Sequence, residues 1–179
     1  MEARTPDVIT VAVTRVDGGL TVLRVVTTNY VPDGKGGRIV HQTFDPTPEY
    51  IDSLIAKHNW QGPLSPVSWR IVPNDIVDEV TNRYFRNAWK DDGGTKPGVD
   101  MPKAQAIHMA HIRAARDKAL EALDTNYMIA LEKNEKIEQT EIANEKQVLR
   151  DIPATFDLTV AKTPEELYAL WPAQLQRRV

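Results

Sequence analysis

The sequence predicts an α+β protein: a small antiparallel sheet with one packed helix at the N-terminus, followed by a mostly α-helical C-terminal half. Two observations predict it. Residues 8–16 and 20–28 are dense in β-branched side chains and flank Asp17, Gly18 and Gly19, a hairpin pattern. Beyond Pro73 the apolar side chains recur at three to four residues instead of two, the period of a helix.

Residues 38–44 read as a third strand, with Ile39 and Val40 among polar neighbours, so the first three strands are expected to form a meander. Thr47, Pro48 and Glu49 supply a cap, a first-position proline and an early acid. Ile51, Leu54 and Ile55 then recur at helical spacing, and the helix is expected to end near His58. Breakers at Pro63, Ser65 and Pro66 precede a fourth strand over 67–72, whose alternation puts Val67, Trp69 and Ile71 on one face. These segments make a module of residues 1–75. Tyr84, Phe85, Ala88 and Trp89 predict a short aromatic helix within a linker of residues 76–99, closed by the glycines after Asp91 and Asp92.

The region 100–179 reads as a helical hairpin with a capped terminal helix. Asp100 caps a long helix with an alanine-rich face, and Asp124, Thr125 and Asn126 read as a turn or a fresh cap. Residues 132–146 are polar apart from Ile137, Ile142 and Ala143, so this helix is expected on a surface or against a partner, ending at Pro153. Thr163, Pro164, Glu165 and Glu166 form a capping box, and the short helix they start delivers Trp171 back toward the body.

The chain has 179 residues, a net charge of -3 and no cysteine, which excludes disulfides, thiolate zinc sites and cysteine nucleophiles. Charge of both signs is spread evenly, leaving no basic stripe for nucleic acid. No apolar window reaches membrane-spanning length, and the first residues lack the apolar run of a signal peptide, which predicts folding in a cytoplasm.

Chemical motifs are weak. His108 and His111 stand three apart with no carboxylate one turn away, so no metal site is expected and both read as polar residues on a helix face. Asp91 and Asp92 lack the acids that complete a calcium loop, and the loop Gly34, Lys35, Gly36, Gly37 lacks the ending of a phosphate cradle. Ser53, Ser65 and Ser68 lie in no nucleophile elbow, so neither catalytic residues nor a cofactor are assigned. Interface anchors are the remaining class, and aromatic and arginine side chains are the usual ones: Tyr84, Trp89, Arg150, Asp151, Tyr168 and Trp171 are the candidates, with core packing the plainer role for the tryptophans.

Arg113, Ala114, Ala115, Arg116 and Asp117, the close of that helix over 120–124, the run Leu149, Arg150, Asp151, Ile152, Pro153, and the terminal pair Trp171 and Pro172 resemble the tail assembly chaperone family of tailed bacteriophages. Residues 84–94 with Met101, Pro102, Lys103 and Ala104 are similar to phage proteins encoded near tail genes. The tryptophan- and proline-rich stretch usual after the Arg-rich helix is replaced here by a charged helix, and the β-rich module lies outside the resemblance. The resemblance implies a non-enzymatic component of a phage tail, neck or fibre-attachment region, or alternatively a transient assembly chaperone absent from the virion. Its implied partners are other tail, neck or fibre proteins and further copies of itself, with neither nucleic acid nor membrane. Its implied location is the host cytoplasm during assembly and then the virion tail.

Overall fold

The computed structural model describes residues 8–32, 34–35, 38–77, 83–94 and 96–177. The chain divides into two units, Met1–Val99 and Asp100–Val179. The first is built around β1 (Val8–Arg15), whose consecutive Val11, Ala12 and Val13 are fully buried, as befits a central strand covered on both faces. Along one edge lies β2 (Leu20–Val26), antiparallel, with Thr14 opposite Leu20 and Val8 opposite Val26. Their turn is pinned by Asp17, whose Oδ1 accepts the Gly19 amide at 2.9 Å, while Gly18 takes a positive φ of 73° that a side chain would oppose.

The expected meander is corrected. The run 20–28 breaks at Thr27, and the chain continues as β3 (Thr28–Pro32), which pairs with β4 (Arg38–Thr43) in a separate two-stranded ladder. Of the loop expected over residues 32–37, Pro32 belongs to β3, and residues 33, 36 and 37 lie outside the described residues. The second edge of β1 goes instead to β5 (Pro66–Val72), giving the order β2-β1-β5. The reason is burial on both faces of β1: β5 brings Trp69 to the cluster of Val11 and Val13, and Val72 to that of Ala12.

Helix α1 (Pro48–Ala56) begins where Thr47 Oγ1 accepts the Tyr50 amide at 3.3 Å. Its Ile51 and Ile55 join Val11, Val13 and Val25 in one buried cluster, rimmed by Leu23, Leu54, Trp60 and Trp69. The other face of the sheet buries Ala12, Leu20 and Val72 against Trp89.

That Trp89 lies in a strand is a second correction. Residues 86–88 form a 3-10 turn rather than part of an aromatic helix, and Trp89 opens β6 (Trp89–Lys90), which pairs with β7 (Gly98–Val99). Asp91, Asp92, Gly93 and Gly94 therefore begin a hairpin loop and cap no helix; Gly93, at φ 78°, supplies its left-handed position. Burial of the large indole on the sheet outweighs the helical spacing of Phe85 and Trp89.

In the second unit, α2 (Met101–Glu132) starts at Asp100, whose Oδ1 accepts the Lys103 amide at 3.1 Å, and runs unbroken for 32 residues. The expected turn at Asp124, Thr125 and Asn126 does not occur. These residues weaken a helix by only a few tenths of a kcal/mol each, ~0.5 or so, and Asp124 is engaged by Lys146 while Thr125 Oγ1 donates to the Glu121 carbonyl. The reversal comes at Asn134, at φ 59°: Asn134 N donates to Leu131 O at 3.1 Å and Glu135 N to Ala130 O at 2.9 Å, a Schellman motif.

Helix α3 (Lys136–Thr155) packs back along α2, burying Ile142, Leu149 and Ile152. It also passes through Pro153, where the sequence predicted its end. A proline in the last turn forfeits one backbone bond, and the turn is held by Phe156 N to Ile152 O at 2.9 Å and Thr155 Oγ1 to Asp151 O at 3.0 Å. Half of the capping box forms: Thr163 Oγ1 accepts the Glu166 amide at 3.2 Å, whereas Glu166 Oε2 reaches past the cap to the Lys162 amide at 2.7 Å. It opens α4 (Pro164–Ala169), which packs on α2 through the buried Leu167.

Candidate functional site

Two constellations gather polar chemistry, one in each unit. In the first, Asp91 sits where the chain leaves β6 for the hairpin loop. Thr14 Oγ1 from β1 donates to its carboxylate, Arg70 Nη1 from β5 lies 2.6 Å away, and the Gly93 amide donates at 3.0 Å. Burial raises the Asp91 pKa, but the hydrogen bonds from Arg70, Thr14 and Gly93, with the Arg70 charge, outweigh it and bring the group down to about 2. Arg70 also donates through Nη2 to the Gly94 carbonyl at 3.1 Å. With its acceptor positions occupied, Asp91 acts as a staple between β1, β5 and the loop.

The second constellation joins the start of α2 to the chain terminus. Ala104, His108 and Ile112, four residues apart, form a fully buried stripe. His108 Nε2 lies 2.6 Å from the Leu170 carbonyl oxygen, which requires Nε2–H as the donor in the neutral ring. Gln105 Nε2 donates to the Leu158 carbonyl at 3.3 Å. The His108 ring meets Trp171 edge-on at 5.7 Å, and Trp171 Nε1 donates to the Leu175 carbonyl at 2.9 Å. Arg177 lies over the Tyr168 ring at 3.8 Å and within 5.2 Å of the Trp171 ring. Burial pushes the His108 pKa below the ordinary histidine value; the charges of Arg177 and His111 push the same way, against the Leu170 hydrogen bond.

Two of the six sequence candidates, Tyr168 and Trp171, therefore meet, under Arg177 and beside His108. Trp89 is 8% exposed and belongs to the sheet core. Tyr84 is half-buried, edge-on to the buried Phe85 at 4.8 Å. Arg150 and Asp151 are exposed on α3, where Gln147 donates to Asp151 at 2.9 Å. His108 does not lie on the polar helix face expected of it. Its i, i+4 spacing from Ala104 and Ile112 was the available signal, outweighed by its polarity. Arg177 gave none, because its partners are aromatic faces.

The first constellation is closed upon itself; in the second, Arg177 Nη2 is buried with no hydrogen-bond partner among the described residues. Among the described residues no three His, Asp or Glu side chains are placed to hold a metal ion, and no described helix is long and apolar enough to cross a membrane. What the second unit does expose is apolar surface on the outer half of its hairpin, at Met128, Ile129, Leu131, Ile137 and Val148. No family model, curated protein or solved structure matches this chain.

Proposed function

We propose that this chain is a non-enzymatic component of a tailed-bacteriophage tail, neck or fibre-attachment region that works by docking other proteins. The observation that carries the docking part is the exposed apolar surface of the long helical hairpin, where Ile137 of α3 is 79% exposed. The tail part is supported by the sequence resemblance over residues 113–124, 149–153 and 171–172. A non-enzymatic role is supported by the use of Asp91, Arg70, His108 and Gln105 in bonds that hold the chain to itself. In this reading the protein folds in the host cytoplasm and is carried into the virion.

The second reading, a transient tail or fibre assembly chaperone, has the same exposed surface in its favour. The two differ in where the protein ends up. Mass spectrometry of purified particles is expected to find it at a fixed ratio to the tail proteins. Its absence from mature particles, with a requirement for tail or fibre assembly, would sink the virion-component version and leave the chaperone.

A further inference from the structure

The sheet of the first unit ends on β5, which has β1 on one side and, among the described residues, no strand on the other. The direction of its free backbone groups follows from the first hairpin. Arg15 N donates to the Gly19 carbonyl at 2.9 Å, so the odd residues of β1 bond to β2 and the even ones, Thr10, Ala12 and Thr14, bond to β5. Their partners there are Val72, Arg70 and Ser68. The N–H and C=O groups of Val67, Trp69 and Ile71 therefore point outward along the open edge, where no described backbone group pairs with them.

The same three residues put their side chains on one face of the sheet. Trp69 packs at the rim of the cluster beneath α1 and its indole donates to Asp52 at 2.6 Å, but Val67 and Ile71 are 65% and 56% exposed. An open edge lined by exposed aliphatic side chains is a template for another strand. The one charged side chain of β5, Arg70, lies on the other face and is held by Asp91 at 2.6 Å, so it does not guard the edge.

The strand that fits this edge is β5 itself. Antiparallel pairing about a two-fold axis at Trp69 sets Val67 opposite Ile71 of the second copy and Trp69 opposite its own mate, and joins the outward groups in about six mutual hydrogen bonds. On the reverse face Arg70 meets Ser68 of the second copy, so no like charges stand directly opposite each other. The register is set from both ends. A slip of two residues one way brings Val67 opposite Pro73, which has no N–H; the other way brings in Ser65, whose carbonyl already accepts Val16 N at 2.9 Å.

We propose that two copies of this chain join edge to edge through β5, continuing each sheet into the other in the order β2-β1-β5-β5-β1-β2. This interface lies wholly in the first unit and goes beyond the docking reading above: particle composition tests that reading and leaves this pairing untouched.

The test uses the full chain. Sedimentation over a concentration series is expected to show a reversible monomer–dimer equilibrium. Amide exchange followed by NMR is expected to slow at Val67, Trp69 and Ile71 as the dimer forms, while Ser68, Arg70 and Val72, bonded to β1, stay protected throughout. Val67→Lys combined with Ile71→Lys sets like charges opposite each other across the axis and is expected to weaken the dimer at least about tenfold. Val67→Lys combined with Ile71→Glu sets opposite charges there and is expected to return it to within about threefold of the native chain. Both positions are exposed, so unchanged circular dichroism is expected; the exchange measurement, made on the native chain, decides the matter whether or not the variants fold. A chain still monomeric at about 1 mM would overturn the proposal, even if a foreign strand peptide bound the edge. Exchange at Val67, Trp69 and Ile71 that ignores concentration, or a dimer that treats the two double substitutions alike, would overturn it equally.

Discussion

At the scale of single residues, His108 is the most consequential. It is fully buried, donates to Leu170 and lies edge-on to Trp171, so the terminal segment is fastened by a group that must stay neutral. Its folded pKa is depressed by burial, while in the unfolded chain it returns to about 6.5. Below that value the unfolded state binds a proton that the folded state refuses, so stability falls as the pH drops through 6.5 and is retained above it. His108→Gln keeps a donor for the Leu170 carbonyl and removes the titration. Urea midpoints measured from pH 8 to 5 are expected to fall for the native chain and to be flatter for His108→Gln; parallel curves would contradict this account. A reader of the sequence could have found His108 by ignoring its polarity and following the stripe, since four-residue spacing from Ala104 and Ile112 places it between two buried side chains.

At the scale of elements, local chemistry was legible and long-range choice was not. Thr47, Asp100 and Thr163 each cap the helix that follows, because a cap is decided by three or four neighbouring residues. The order β2-β1-β5 was not legible: which strand takes the second edge of β1 depends on residues more than fifty positions away, such as Ile71 opposite Val11. The helical reversal was misplaced because Asp124, Thr125 and Asn126 look like turn residues, whereas Asn134 alone makes the turn, in a left-handed conformation. That conformation yields a prediction. Asn134→Gly is expected to be neutral or stabilising by a few tenths of a kcal/mol, ~0.5, whereas the β-branched Asn134→Val is expected to cost about 1–2 kcal/mol. Both are read as shifts in the urea midpoint, and equal midpoints for Gly and Val would show that the Schellman turn is not what reverses the chain.

At the scale of the whole molecule, each unit has its own buried cluster and its own acid-sensitive fastening, and the two fastenings give way in different pH ranges. Asp91 is held at about 2 by Arg70, Thr14 and Gly93 against 3.8 unperturbed, so its contribution is present above about pH 4 and is lost as the pH falls toward 2. The difference corresponds to about 2 kcal/mol for a group this well enclosed. His108 weakens the second unit already below pH 6.5. Each unit also carries its own reporters: Trp89 against the sheet, and Trp171, whose indole donates to Leu175, in the terminal clasp. In an acid titration followed by NMR, the Trp171 indole signal is therefore expected to change first, between pH 6.5 and 5, while the Trp89 signal holds until below pH 4. Asp91→Asn, by removing the carboxylate that Arg70 and Thr14 bind, is expected to destabilise the first unit at pH 7 and to leave the early Trp171 change where it was. Simultaneous loss of both signals, or an Asp91→Asn effect on Trp171 equal to that on Trp89, would mean that a single cooperative core governs the chain and that the acid response belongs to neither fastening.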